Sequence, residues 1–234
     1  MAIISRLMPF CDLPARVAEV REKIAAAAAR GGHSQQVTIV AVTKTHGPEA
    51  VRAAWDADLA DVGENRIQEA TSKMHEVELP VRWHLIGHLQ RNKVKSLDGF
   101  SLVHSIDSAR LAGAVSDYGV SRGNPVDVLV QVNVVGEESK GGFAPEGLPA
   151  ELERFRARSG LRVLGVMTMA PLNADERTLR RVFAGARSAR DLFREAEFPA
   201  TELSMGMSND YEVAVEEGAT MVRLGTILFG ARGT

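Results

Sequence analysis

Residues Val37 to Lys44 read VTIVAVTK, an almost wholly apolar, β-branched run that ends in a lysine and is followed by His46-Gly47-Pro48. Such a run marks a strand covered on both faces, the signature of a parallel sheet. Side chains alternate along a strand, so Thr38, Val40, Val42 and Lys44 share one face, with Lys44 the last of them. Ligands bind at the carboxyl ends of parallel strands. A lysine at a strand end is ordinarily just solvated, so a chemical role for Lys44 has to come from its neighbours.

Outward from this strand the chain alternates. PEAVRAAWDA reads as a helix, DVGEN as a strand, RIQEATSKMHEV as a helix, VRWHLIG as a strand and RNKVKSL as a helix. FSLVHSI, VDVLVQVN, LRVLGVMT, TELSMG and TMVRLGTILFG continue the strands. DSARLAGAVSDYG, PEGLPAELERFRARS, ADERTLRRVFAGARSARDLFREA and NDYEVAVEEG are the helices between them. Asp12 and Pro14 open a further helix before the first strand, and Gly31-Gly32 close it. Strands separated by crossover helices run parallel, and eight of them predict a (β/α)8 TIM barrel with an extra amino-terminal helix. A doubly wound open sheet is the alternative. No linker or low-complexity tract divides the chain, so one domain is expected over 1–234, with the helical segment over 1–36 and the barrel over 37–234.

Composition narrows the function. The 234 residues are 45% hydrophobic and 25% charged, ordinary values that exclude a disordered chain. A net charge of -2 gives no broad footprint for nucleic acid or an anionic membrane. The only cysteine, Cys11, excludes an internal disulfide and a multi-cysteine zinc site. No run is apolar and long enough to cross a bilayer, and the start MAIISRLMPF lacks the pattern of an export signal, so a cytoplasmic protein is expected.

In a barrel the functional residues belong at the carboxyl ends of strands. They are Lys44, Asn65, His84 with Gly87 and His88, His104 with Ser105 and Asp107, Asn133, Met167 with Thr168, Ser204 to Ser208, and Arg223 to Thr226. The turns Ser204-Met205-Gly206-Met207-Ser208 and Arg223-Leu224-Gly225-Thr226 follow strand seven and lie in strand eight, where barrels often hold phosphate. Each glycine alone could serve a tight turn; together the two suggest a phosphorylated ligand. Arg223, if inward, needs acceptors, either a structural carboxylate or a ligand atom. His84 and His88 are four apart, but on a strand running into a loop, with no HExxH, so no metal site is expected. His104-Ser105-Ile106-Asp107 lacks a nucleophile elbow, and Asp107 reads as a helix cap. Glu137, Glu138 and Lys140 lie in a charged loop, either solvated or a mobile rim over the mouth.

The blocks AVTKTH, GENRIQEA, WHLIGHLQRNK, HSIDS, QVNVVGEESKGGF, GVMTMAP, SMGMSNDYEVAVEEGAT and VRLGTILFGAR closely resemble the pyridoxal phosphate homeostasis proteins, in order from about residue 37 to 232. That resemblance implies a barrel similar to the amino-terminal domain of alanine racemase, with pyridoxal 5′-phosphate in Schiff-base linkage to Lys44. It implies phosphate contacts from Ser204, Gly206, Ser208, Gly225 and Thr226, Arg223 facing the pyridine nitrogen, and Asn65 and His84 lining the ring. Lysine attacks an aldehyde only as the free amine, which a barrel interior favours over the ammonium. An arginine on the pyridine nitrogen makes the ring a weak electron sink.

Alanine racemases carry a carboxyl-terminal β-domain that supplies a tyrosine base, whereas this sequence stops at Thr234. The expectation is a monomeric carrier that supplies the cofactor to pyridoxal-phosphate-dependent apo-enzymes. The alternative is a weak amino-acid racemase with Lys44 as its single base; a cofactor-free Schiff-base aldolase is disfavoured by the two phosphate turns. Tyr118 falls on a surface helix, Tyr211 could help cover the phosphate, and Lys140 is open as a secondary site.

Overall fold

The computed structural model describes residues 10–137 and 140–230. Its eight strands are β1 (Thr38–Val42), β2 (Asp61–Glu64), β3 (Arg82–Leu85), β4 (Phe100–Ile106), β5 (Val126–Gln131), β6 (Leu161–Met167), β7 (Glu202–Ser204) and β8 (Met221–Leu224). They lie in chain order around a closed barrel, every pairing parallel, with β1 bonded to both β2 and β8. Closure sets aside the doubly wound sheet.

The helices are α1 (Leu13–Gly31), α2 (Pro48–Asp56), α3 (Ile67–Glu76), α4 (Ala109–Ser121), α5 (Leu148–Arg156), α6 (Glu176–Glu195), α7 (Tyr211–Glu216) and α8 (Thr226–Phe229). After β3 the connection is a 3-10 helix, Arg91–Ser96, in place of the α-helix expected from RNKVKSL. The last strand is shorter than expected. At Gly225 the backbone leaves strand geometry (φ -117°, ψ -80°), and the N–H groups of Leu228 and Phe229 turn back onto its carbonyl, so Thr226–Phe229 is helical. β1 likewise ends at Val42, which places Lys44 in the following turn rather than on the strand.

Alternation along the strands produces two cores. One face of each strand packs outward against the helices in a continuous apolar layer. Inside, Leu102, Leu129 and Met167 form a separate cluster with Leu164, Met169 and Met221 packed on it. α1 buries Leu13, Val17, Val20, Ile24 and Ala27, spaced by three and four, and lies against α7 and α8. Gly32 ends it in the left-handed conformation, its N–H bonded to the Ala28 carbonyl.

Backbones approach closely where α4 meets the start of β6. A Cβ at Gly160 would overlap the Ser116 carbonyl oxygen and lie 2.8 Å from the Val120 nitrogen. Gly160→Ala is therefore expected to force α4 away and cost about 1–3 kcal/mol. Urea unfolding checks this, and an unchanged midpoint would contradict the close approach.

Candidate functional site

A cavity of about 960 Å³ opens at the carboxyl ends of the strands. Of the cofactor contacts that the resemblance implies, Lys44, Asn65, Ser208, Arg223, Gly225 and Thr226 line it, and of the other strand-end candidates Gly87, His88, Asp107 and Met207 do so too. Ser204, Gly206 and His84 are not on its wall.

Lys44 sits half-buried in the turn after β1, and the turn is gripped from behind. Thr45, β-branched, has φ +69°, a conformation such residues rarely adopt. Its N–H donates to Glu69 Oε1 at 2.6 Å, and Lys73 Nζ donates to the Thr43 carbonyl at 2.8 Å. Lys73 also donates to Glu64 Oε1 at 2.6 Å and Glu69 Oε1 at 2.9 Å, while Thr43 Oγ1 donates to Glu64 Oε1 at 2.6 Å. Both neighbours of Lys44 are thus tied to α3 by one buried cluster. Burial pushes the Glu64 carboxyl up, against the pull of Lys73 and Thr43. The Glu69 carboxyl is also penalised by burial, but Lys73 and the Thr45 N–H bring it below the ordinary range. Sequence reading missed this cluster. Only the Glu69–Lys73 spacing of four hinted at it, and that spacing reads as a surface pair.

The two glycine turns serve different purposes. Gly206 has φ +90°, and a Cβ there would meet Ala214 Cβ at 2.7 Å and Tyr211 Cα at 2.9 Å, so packing against α7 requires it. The nearest atoms to a Cβ at Gly225 would be those of Val42, from 3.5 Å, an ordinary contact, so packing does not demand glycine there. Ser208 Oγ accepts from the Ile227 N–H at 3.3 Å, which joins the two turns across the cavity wall. Asp210, absent from the sequence expectations, also lines the cavity and accepts from the Met207 N–H at 2.6 Å. Burial raises its carboxyl, with Met207 and Arg223 opposing. Tyr211 packs in the outer core, where burial and Glu212 raise its hydroxyl and Lys23 of α1 opposes them, so it does not cover the cavity.

Arg223 is 5% exposed. Its Nη1 donates to Ser204 Oγ at 2.6 Å and its Nη2 to the Thr168 carbonyl at 2.9 Å. Neither partner is a carboxylate, so among the described residues the structural ion pair considered from sequence is not formed. Burial lowers its pKa to about 10, with Asp210 opposing, which leaves it charged at neutral pH.

His84 lies inside the barrel, within 2.9 Å of both His104 and Asp61. His88 is exposed and faces Asp107 at 2.9 Å, so the two histidines do not converge. Asp107 is not the helix cap. Ser108 caps α4 by accepting from the Leu111 N–H, which frees Asp107 for the cavity rim. Asn133 shapes the loop after β5 by donating to the carbonyls of Glu137 and Lys140, both at 2.9 Å. Lys140 pairs with Glu137 at 2.8 Å and reaches the cavity; Glu138 lies outside the described residues. Among the described residues no helix is long and apolar enough to cross a membrane, and no group of three His, Cys, Asp or Glu side chains could hold a metal ion.

This geometry can be set beside known proteins. Residues 16–233 match the family described as alanine racemase, N-terminal domain. A pyridoxal phosphate homeostasis protein of Deinococcus radiodurans is 45% identical over 224 residues, 93% of this chain and 99% of its relative. One from Aquifex aeolicus is 42% identical over 221 residues, 93% and 97% of the two chains. The structure of PipY from Synechococcus elongatus with PLP bound superposes with a TM-score of 0.83 at 34% identity, covering 93% of this chain and all of that one. With identity at this level along nearly the whole length, and a barrel that closes in the same way, the chain belongs to the pyridoxal phosphate homeostasis proteins of the alanine racemase N-terminal domain family.

Proposed function

We propose that this chain binds pyridoxal 5′-phosphate, holds it covalently through Lys44, and as a monomer hands it to apo-enzymes in vitamin B6 homeostasis. The observation that carries this reading is the shared cavity. A primary amine, a buried guanidinium and the hydroxyls of Ser208 and Thr226 face one space of about 960 Å³ in a chain whose relatives are named pyridoxal phosphate homeostasis proteins.

The donor set fits the group. Lys44 Nζ would add to the aldehyde carbon with loss of water, the Schiff-base chemistry such a cofactor supplies when bound. The Gly225 turn on the cavity wall, with the Thr226 and Ser208 hydroxyls, suits a phosphate. Asn65, after β2, lies on the far side of Lys44 from these turns, since β1 runs between β2 and β8. Arg223 can only donate, so it holds a pyridine nitrogen as an acceptor and keeps it unprotonated. That arrangement favours storage over carbanion chemistry. Neither tyrosine reaches the cavity to act as a second base: Tyr118 donates to Asp98 at 2.7 Å, and Tyr211 is in the outer core.

Borohydride reduction of freshly purified protein, followed by peptide mass spectrometry, tests the covalent site. One pyridoxyl group on Lys44 is expected, and a label confined to another lysine counts against the assignment. Mixing loaded protein with an apo-enzyme should restore that enzyme's activity as the carrier's visible band disappears. A band that persists while activity stays absent argues against delivery.

A further inference from the structure

Five side chains cross the barrel interior in one line. Arg223 Nη1 lies 2.6 Å from Ser204 Oγ, and Ser204 Oγ lies 2.9 Å from His104 Nδ1. His104 Nε2 lies 2.9 Å from His84 Nδ1, and His84 Nε2 lies 2.9 Å from Asp61 Oδ1. Asp61 is the first residue of β2 and is held by Arg82 at the barrel's amino-terminal end. All five members are buried, and Arg82, outside the line, is exposed.

We infer that Asp61, His84, His104 and Ser204 form a single proton-ordered chain that fixes the orientation of Arg223, and that they are positioning residues rather than ligand contacts. The direction follows from donor and acceptor capacity. Guanidinium only donates, so Ser204 Oγ accepts from Arg223 and turns its one proton to His104 Nδ1. His104 then carries its proton on Nε2 and gives it to His84 Nδ1. His84 in turn carries its proton on Nε2 and gives it to Asp61, which as a carboxylate only accepts.

With both rings neutral, reversing His84 sets two acceptors face to face at Asp61, and reversing His104 sets its Nε2 lone pair against that of His84 Nδ1. A proton added to His104 would leave the Ser204 hydroxyl without an acceptor and put a second positive charge beside Arg223. Consistent with that, burial first, then His84 and Arg223, hold His104 far below the usual imidazole range. Asp61 is penalised by burial, but His84 and Arg82 keep it below the ordinary carboxylate range and therefore ionised. Arg223, which has no carboxylate in contact, is thereby joined through three neutral groups to a fixed anion across the barrel. Such outer partners set the aim of the group that meets the ligand.

The effect on ligand binding rests on the function proposed above; the order of the chain does not. Nitrogen-15 NMR of ligand-free protein at neutral pH reads both rings directly. Neutral rings protonated on Nε2 are expected for His84 and His104, and an imidazolium or an Nδ1–H form of either overturns the chain. Ser204→Ala should release the His104 tautomer, weaken pyridoxal phosphate binding roughly tenfold, as for one hydrogen bond to a charged group, and shift the visible band of the bound form. Loss of stability with the tautomer, affinity and band unchanged would overturn the positioning role. Wild-type protein with the expected tautomers that takes up no pyridoxal phosphate would refute the proposed function while supporting the chain.

Discussion

Replacing Lys44 with alanine is expected to remove all borohydride-fixed pyridoxal phosphate from the protein while leaving the fold intact. Lys44 is half-buried in a turn, and the outer core and barrel interior are built without it. Truncation there belongs with surface substitutions, within about 0.5 kcal/mol of wild type. The effect on the ligand is of a different order. Without the amine no Schiff base forms, and only reversible contacts from Arg223, Ser208 and Thr226 remain. A Kd raised roughly 100-fold, or about 2.7 kcal/mol, is the expected scale. Equilibrium dialysis gives the affinity, and reduction with mass spectrometry gives the covalent fraction. A stoichiometric label elsewhere in Lys44→Ala, with affinity unchanged, would show that the covalent site was misplaced.

The second large effect lies behind the site. Lys73 is 4% exposed and Glu64 is wholly buried, with one Glu64 oxygen lacking a hydrogen-bond partner among the described residues. Lys73→Met preserves bulk but removes the ammonium that compensates that carboxylate. Breaking a buried pair from one side costs about 3–5 kcal/mol. The variant should be distinguishable by its pH dependence. Glu64, already raised by burial in the wild type, rises further without Lys73, so folding takes up a proton. A group whose folded pKa lies above its unfolded value stabilises the protein below the unfolded value and loses that contribution as pH rises through the folded one. Lys73→Met should therefore be nearest to wild type in mild acid and furthest from it at neutral pH. Urea midpoints across that range check this, and a constant difference would mean that Glu64 is not the titrating group. The Thr43 carbonyl would lose its Lys73 donor and Glu69, which accepts from the Thr45 N–H, would lose its ammonium partner, so the turn that carries Lys44 should loosen and covalent loading there should slow as well.

The barrel was legible because its signals are local. Buried runs such as VDVLVQVN and helices whose apolar residues recur every three or four positions declare themselves in short windows. Lys44, Arg223 and the Gly225 turn were legible for a related reason, since each ends or follows a strand whose inward face can be counted. What was hidden depends on register. β3 shifts against β4 between Trp83 and His84, and no propensity encodes such an irregularity. His84 meets His104 inside the barrel, a contact between β3 and β4 that neither strand's own sequence encodes. The grip on Thr43 and Thr45 was hidden likewise, because Glu64 and Lys73 meet only when α3 folds back over β1 and β2. Asp107 looked like a cap because an aspartate before a helix usually is one, and the next residue, Ser108, took that place.

Closure of the barrel by β1 and β8 also bears on the order of events in folding. Val40 stands opposite Arg223 in that pairing, so the strand that leads into the lysine turn and the strand that carries the arginine come from opposite ends of the barrel sequence. They become neighbours only when the eighth strand docks, the most non-local pairing the topology contains. On a ribosome, a nascent chain that has emerged only as far as β7 would present Lys44 with no arginine beside it. A ligand that bridges the two strands binds the closed ring and not its precursors, and by mass action it draws folding toward closure. The vitamer would in this way act on the carrier as a folding ligand, fastening the first strand to the last.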